Sequence, residues 1–119
     1  MVMNNKDLGN FGETLATKFL EDKNYKILDR NYRALGTEID IIAKDKDELC
    51  FVEVKTRRSH KFGDAYEAVD EIKMQNIIQT ARAYIYKNNS YDIQVRFDII
   101  EVYIREGKIN HIENAFSLI

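Results

Sequence analysis

Proline and tryptophan are absent from this 119-residue chain, and cysteine occurs once. Without proline, no X-Pro turn or proline helix stop punctuates the sequence, and Asn, Asp and Gly must mark its turns. A lone cysteine, Cys50, excludes an internal disulfide and points to a reducing compartment. It lies within an apolar run and reads as a small core residue. No apolar run approaches the roughly 20 residues that a membrane-spanning helix needs. Residues 1–7 also lack a signal-type apolar segment, so a soluble, cytoplasmic protein without membrane contact is expected. The two histidines, His60 and His111, are far apart and have no zinc-ligand spacing. There is no glycine-rich phosphate loop and no paired-cysteine motif. A net charge of −2 does not by itself announce a nucleic-acid binder.

What is present reads as one soluble domain over residues 1–119, long enough to bury a core without staples. Leu8, Phe11, Leu15, Phe19 and Leu20 recur at helical spacing, which predicts a helix over residues 7–22, ended near Asn24. A strand is expected over 25–32, with Tyr25 and Ile27 alternating against Lys26 and Leu28. Leu35-Gly36 reads as a turn, 37–44 as a second strand, Asp45-Lys46-Asp47 as a polar turn and 48–56 as a third strand. The loop is so short that these last two strands should form an antiparallel hairpin. A basic loop over 57–65 precedes a long helix that begins near Tyr66 or Asp70 and runs to Lys87. Its buried stripe is Met74, Ile77, Ile78, Ala81 and Ile85. Strands over 93–104 and 108–112 follow; the apolar parity of the first switches between Ile99 and Ile100, which predicts a bulge or full burial there. The order α-β-β-β-α-β-β implies a parallel pair, joined by the second helix, inside a mixed sheet.

Charges inside the apolar strands carry the functional signal. Glu53 and Lys55 stand two residues apart and should share a strand face. Asp40 stands in similar surroundings on the hairpin partner. Taken alone, Glu-x-Lys is a common tripeptide that fits an ordinary exposed strand end. The apolar run before Glu53, and a second acid on the next strand, point instead to a hard-cation site. Mg²⁺ is held by one or two carboxylates plus waters and substrate oxygens, a suitable arrangement for phosphodiester hydrolysis. Asp40 and Glu53 supply carboxylates, the Val54 carbonyl a third oxygen, and Lys55 a charge to steer water or stabilise a developing anion. Glu13 lies at the edge of the first helix's apolar stripe. It reads equally as a further site acid or as an acid favoured by the helix dipole. Gly9 and Gly12 beside it weaken the helix, which suggests a close approach to its backbone. Glu38 is a candidate outer acid, whereas Lys73 and Gln75 precede the buried stripe at ordinary surface positions.

From Lys55 to Lys61 the chain carries four positive charges and no acid. This stretch is either solvated surface or a phosphate contact through Arg57, Arg58 and Lys61, with Arg30 and Arg33 forming a second basic spot.

The segments Gly9-Asn10-Phe11-Gly12-Glu13, Arg30-Asn31-Tyr32-Arg33, Glu38-Ile39-Asp40-Ile41-Ile42-Ala43 and Phe51-Val52-Glu53-Val54-Lys55-Thr56-Arg57 together resemble the small bacterial YraN family. Phe62-Gly63, Lys73 and Arg96-Phe97-Asp98 extend the match over nearly the whole chain. That family is similar to archaeal Holliday junction resolvases, within the restriction-endonuclease-like superfamily. The resemblance implies an α/β fold with a mixed sheet flanked by helices and a D…E-x-K site. Glu13, Asp40, Glu53 and Lys55 match its site positions. Thr37 departs from the pattern, in which glycine often precedes the acid directly; a shifted turn with unchanged strand parity is expected.

The combined expectation is a Mg²⁺-dependent DNA endonuclease, with Mn²⁺ as a substitute ion, acting on branched or junction DNA and working as a homodimer. The expected catalytic set is Glu13, Asp40, Glu53 and Lys55; the metal set is Asp40, Glu53 and Val54; the DNA-contact set is Arg33, Arg57, Arg58, Lys61 and Lys73. The rival readings are a non-catalytic nucleic-acid-binding module of the same fold and a protein-interaction domain.

Overall fold

Asn4 opens the first helix, α1 (Asn5–Asp22), by accepting the Asp7 N–H at 2.8 Å, which satisfies one of the free donors of the first turn. The computed structural model describes residues 3–59 and 70–117. Leu8, Ala16 and Leu20 form the buried stripe of α1, and Asn24, at φ 69°, turns the chain away from it. A three-stranded antiparallel meander follows: β1 (Lys26–Ala34), β2 (Thr37–Asp45) and β3 (Glu48–Arg57). Leu35 and Gly36 both take positive φ, 56° and 76°, as a two-residue hairpin turn requires. The second helix, α2 (Glu71–Lys87), crosses over to β4 (Gln94–Tyr103), which lies parallel to β3, and β5 (Lys108–Phe116) closes the sheet antiparallel to β4. The strand order is β1-β2-β3-β4-β5. The α-β-β-β-α-β-β order and the mixed sheet agree with the sequence reading.

The two helices cover opposite faces. Ala16 and Leu20 of α1 pack with Ile41, Ala43, Cys50, Val52 and Ile100. Ile77, Ile78, Ala81 and Tyr84 of α2 pack with Ile42, Phe51 and Phe97. The central strands β3 and β4 are thus buried on both sides, which explains the apolar run Leu49-Cys50-Phe51-Val52 of β3 and the adjacent Ile99-Ile100 of β4. Cys50 is a fully buried core residue. No described helix is long and apolar enough to cross a membrane.

Several boundaries differ from expectation for local reasons. The register of β1 shifts between Ile27 and Asp29, so the alternation seen in sequence fails there and Leu28 is exposed. Tyr25 is buried just ahead of that strand. The β4–β5 pairing shifts between Phe97 and Ile99, Asn114 takes φ 54°, and pairing resumes at Phe97 and Phe116. The last strand therefore runs beyond the expected residue 112. β4 is buried from Arg96 to Tyr103, so full burial accounts for its parity switch; the register irregularity lies earlier, between Phe97 and Ile99, and pairing is regular across Ile99 and Ile100. Asp70 caps α2, its carboxylate accepting the Lys73 N–H at 2.9 Å. The alternative start at Tyr66, together with His60, Lys61 and Gly63, lies outside the described residues.

Gly12 sets the distance between α1 and the sheet. A Cβ there would fall 1.8 Å from Thr56 Oγ1 and 2.8 Å from Thr56 Cβ, so rotating the threonine cannot relieve the overlap. Gly9 meets nothing within 4 Å. Gly12→Ala should therefore lower the urea midpoint: overpacking costs about 1–3 kcal/mol, against the roughly 1 kcal/mol that alanine gains in a helix. Gly9→Ala should be neutral or stabilising. An unchanged midpoint for Gly12→Ala would contradict the packing account.

Candidate active site

The site forms where β2 and β3 part. Their regular pairing ends at Ile41 and Val52. Beyond that point the Val54 N–H is taken by a side chain, Asp40 Oδ2, at 2.8 Å. Strand β2 also changes phase here: Ile41 and Ala43 pack on the α1 side, whereas Ile39 joins Ile42 on the α2 side. Asp40 sits at this break, so its carboxylate reaches across to β3.

Glu53 projects toward α2 with its side chain only 4% exposed. Lys73 Nζ lies 2.8 Å and Lys55 Nζ 3.6 Å from Glu53 Oε2. Among the described residues, this oxygen is the one buried side-chain N or O atom that accepts no well-aligned hydrogen bond, despite its two ion pairs. Burial, followed by the facing Glu53 carboxylate, drives the Asp40 carboxyl far above the ordinary carboxylate range. Burial pushes Glu53 the same way, but the Asp40 carboxyl and the ammonium groups of Lys73 and Lys55 outweigh it and hold Glu53 low. The two acids are thus a coupled pair, with Asp40 shifted toward its protonated form and Glu53 toward its ionised form. Burial lowers the Lys55 ammonium, whereas Lys73, also disfavoured by burial, is raised by its contact with Glu53.

Helix α1 brings Glu13 to the same place. The Asn31 amide donates to Glu13 Oε1 at 2.8 Å and to Glu38 Oε1 at 3.2 Å, tying the helix acid to the second strand. Arg30 lies 3.7 Å from Glu13, and Arg33 pairs with Glu38 at 2.9 Å. Burial raises the Glu13 carboxyl, with Asn31 and Arg30 opposing. Because α1 begins at Asn5, Glu13 lies well past the first turn, and the helix-dipole account of it fails. Carboxylate oxygens of Glu13, Glu38 and Asp40 lie within 4.8 Å of one another. Two oxygen sets, Asp40 with Glu53 and Asp40 with Glu13 and Glu38, thus meet at Asp40.

Glu13, Asp40, Glu53, Lys55, Arg57 and Lys73 line a cleft of about 500 Å³. A second cleft of about 320 Å³, bordered by Gly36, Glu38 and Asn76, shares Asp40, Glu53 and Lys73 with it. The acid pair is therefore a wall between two openings. Of the expected DNA-contact residues, Arg57, Arg58 and Lys73 line the larger cleft. Arg58 is tied to the chain's start, donating to the Met3 carbonyl at 2.6 Å and to Asn5 at 3.2 Å. Arg33 is largely exposed but paired with Glu38, and Lys61 lies outside the described residues.

Sequence reasoning missed two things. It placed Lys73 on ordinary surface, yet the first turn of α2 delivers it to Glu53. It gave Asn31 no role, although its positive φ of 53° within β1 marks an unusual strand position. A further buried network was also unassigned. Arg96 contacts Asp98, Asp45, Glu48 and Glu113, and donates to the Tyr25 hydroxyl at 2.6 Å. His111 Nε2 lies 2.7 Å from Asp98, whose other oxygen accepts the Asn114 N–H. Burial disfavours the Asp98 carboxylate, but His111, Arg96 and the Asn114 N–H together hold its pKa low.

The family model of the uncharacterised protein family UPF0102 matches residues 12–102. A UPF0102 protein of Clostridioides difficile strain 630 is 54% identical over 114 residues, covering 96% of this chain and 100% of the relative. One from Caldanaerobacter subterraneus subsp. tengcongensis is 47% identical, covering 96% and 98%. Another, from Geobacter metallireducens, is 43% identical, covering 99% and 98%. The chain belongs to the UPF0102 family, the YraN family that its motifs resemble.

The Asp40 environment sets a pH dependence. An unfolded aspartate ionises near about pH 3.9, whereas folded Asp40 holds its proton to much higher pH. Its contribution to stability is thus full below the unfolded pKa and is lost as pH rises toward the folded one. Asparagine imitates the protonated acid and can still accept from Val54. In the presence of a chelator, Asp40→Asn should be more stable than wild type, with the gap in urea midpoint widening from pH 5 to pH 8. A gap independent of pH would refute a raised Asp40.

Proposed function

We propose that the protein is a Mg²⁺-dependent DNA endonuclease that hydrolyses phosphodiester bonds. The observation that carries this reading is Glu53: a buried carboxylate, one oxygen without an aligned hydrogen bond, facing a second acid at an open cleft. A purely structural buried acid is normally satisfied on every side, as Asp98 is in this same sheet. The donor set also fits a hard cation: oxygen ligands that repel one another unless a positive charge stands between them. Asp40, Glu53 and the Val54 carbonyl would hold Mg²⁺, or Mn²⁺ in its place. The bound ion would neutralise phosphoryl charge and acidify a water.

The chain's own groups supply the rest. Asp40 must release its proton before it can act as a ligand, so cation binding should strengthen as pH rises. Lys55 is held beside Glu53 with its side chain only 14% exposed, a fixed positive charge suited to orienting water or stabilising a developing anion. Glu13, anchored by Asn31, supports the site from α1. Arg57, at the cleft mouth, and Arg33 and Arg58, once released from their present partners, would contact phosphate, with Lys61 and Lys73 completing the basic set. Branched or four-way DNA is the favoured substrate by analogy of fold. A homodimer acting in the cytoplasm accords with the two cuts that a junction requires.

Wild-type protein with Mg²⁺ or Mn²⁺ should cut at least one of linear, single-stranded, flapped or four-way DNA, with Asp40→Ala and Glu53→Ala each slower by at least about 100-fold. Failure of wild type to cut any of them, or equal cutting by the variants, overturns the catalytic reading. DNA binding without cutting would then favour the non-catalytic module, and neither would favour the interaction domain. In the DNA-binding arm, Arg57→Ala should reduce the salt-dependence slope by about 1; an unchanged slope removes Arg57 from the interface.

A further inference from the structure

We infer that Lys73 is a placeholder cation: in the ion-free protein its ammonium group occupies the acid pair, and a divalent ion displaces it. This inference rests on the proposed cation site at Asp40 and Glu53. The two lysines near Glu53 are not equivalent. Lys73 Nζ is the nearer, at 2.8 Å from Oε2, against 3.6 Å for Lys55. Lys73 is also the more accessible, with its side chain 43% exposed against 14% for Lys55. A close but poorly aligned contact, made by a long side chain with room to move, can be given up readily. Lys55 is hemmed in within β3 and stays.

Position supports the same division. Lys73 stands in the first turn of α2, its backbone N–H fixed by Asp70. Its head borders both clefts, so it can leave Glu53 without leaving the site. A divalent ion at Asp40 and Glu53 would stand within a few ångströms of that ammonium, and like charges so close repel strongly where water is scarce. Either the ion is excluded or the lysine moves, and only Lys73 has space. The buried Glu53 carboxylate is thereby never left without a positive partner, which would be costly for the fold.

The test is Mn²⁺ binding by calorimetry, without DNA, to wild type, Lys73→Met and Lys73→Arg. Removing the competitor should tighten binding about threefold to fivefold in Lys73→Met, the scale of a partly exposed ion pair. Lys73→Arg keeps the charge and should stay near wild type. Mass-spectrometric acetylation provides a second readout: Lys73 should react faster with saturating Mn²⁺, and Lys55 should not. Unchanged or weaker binding by Lys73→Met, or no change in Lys73 reactivity, overturns the inference while leaving the nuclease reading intact wherever wild type binds the ion and cuts DNA. No Mn²⁺ binding by wild type overturns both.

Discussion

The bond from the Val54 N–H to the Asp40 carboxylate is the constraint on which the site depends. Two antiparallel strands that separate inside a protein leave backbone donors with no partner, and a buried donor cannot be left open. Here a side chain from the departing strand satisfies one such donor. The same contact lets the sheet open, fixes Asp40 beside Glu53, and leaves a cleft between the strands and α1. Gly12 completes the arrangement by letting α1 lie directly on Thr56, which brings Glu13 to the cleft.

The electrostatics follow from that geometry. Two carboxylates in a half-closed space cannot both ionise without a cation, so one keeps its proton and the other leans on two lysines. Sites with such unresolved charge destabilise a fold, and the rest of this sheet compensates through dense packing on both faces of β3 and β4. The opposite end of the sheet handles buried charge differently. Arg96, Asp98 and His111 satisfy one another almost completely, forming a closed structural network rather than a site awaiting a ligand.

Much of this was legible in the residues. The helical stripe of Leu8, Leu15 and Leu20, the Leu35-Gly36 turn and the long apolar runs of the central strands define the element order through local periodicity. Glu53 and Lys55 stood out because charges are scarce in such runs. The bulges near Leu28 and Asp98 were harder to locate, since a one-residue register shift depends on the partner strand as much as on local composition. Lys73 was read as surface because helical spacing describes only its own helix. Its destination is set by the placement of the first turn of α2 beside Glu53 of β3.

Glu53-Val54-Lys55 and Arg96-Phe97-Asp98 make the division plain. Each is a charge pair two residues apart in an apolar strand, and the two strands lie side by side. The sequence by itself determined that the two members of each pair would share a strand face, because side chains alternate with period two; the register then sets Arg96 and Asp98 level with Cys50 and Val52, on the opposite face from Glu53 and Lys55. Only the tertiary structure decided their different fates. Arg96 and Asp98 meet Tyr25, His111 and a ring of acids that satisfy them, whereas Glu53 meets Asp40 across a gap in the sheet. Satisfaction of a buried charge is a sum over neighbours distant in sequence, and those neighbours exist only once the chain has folded.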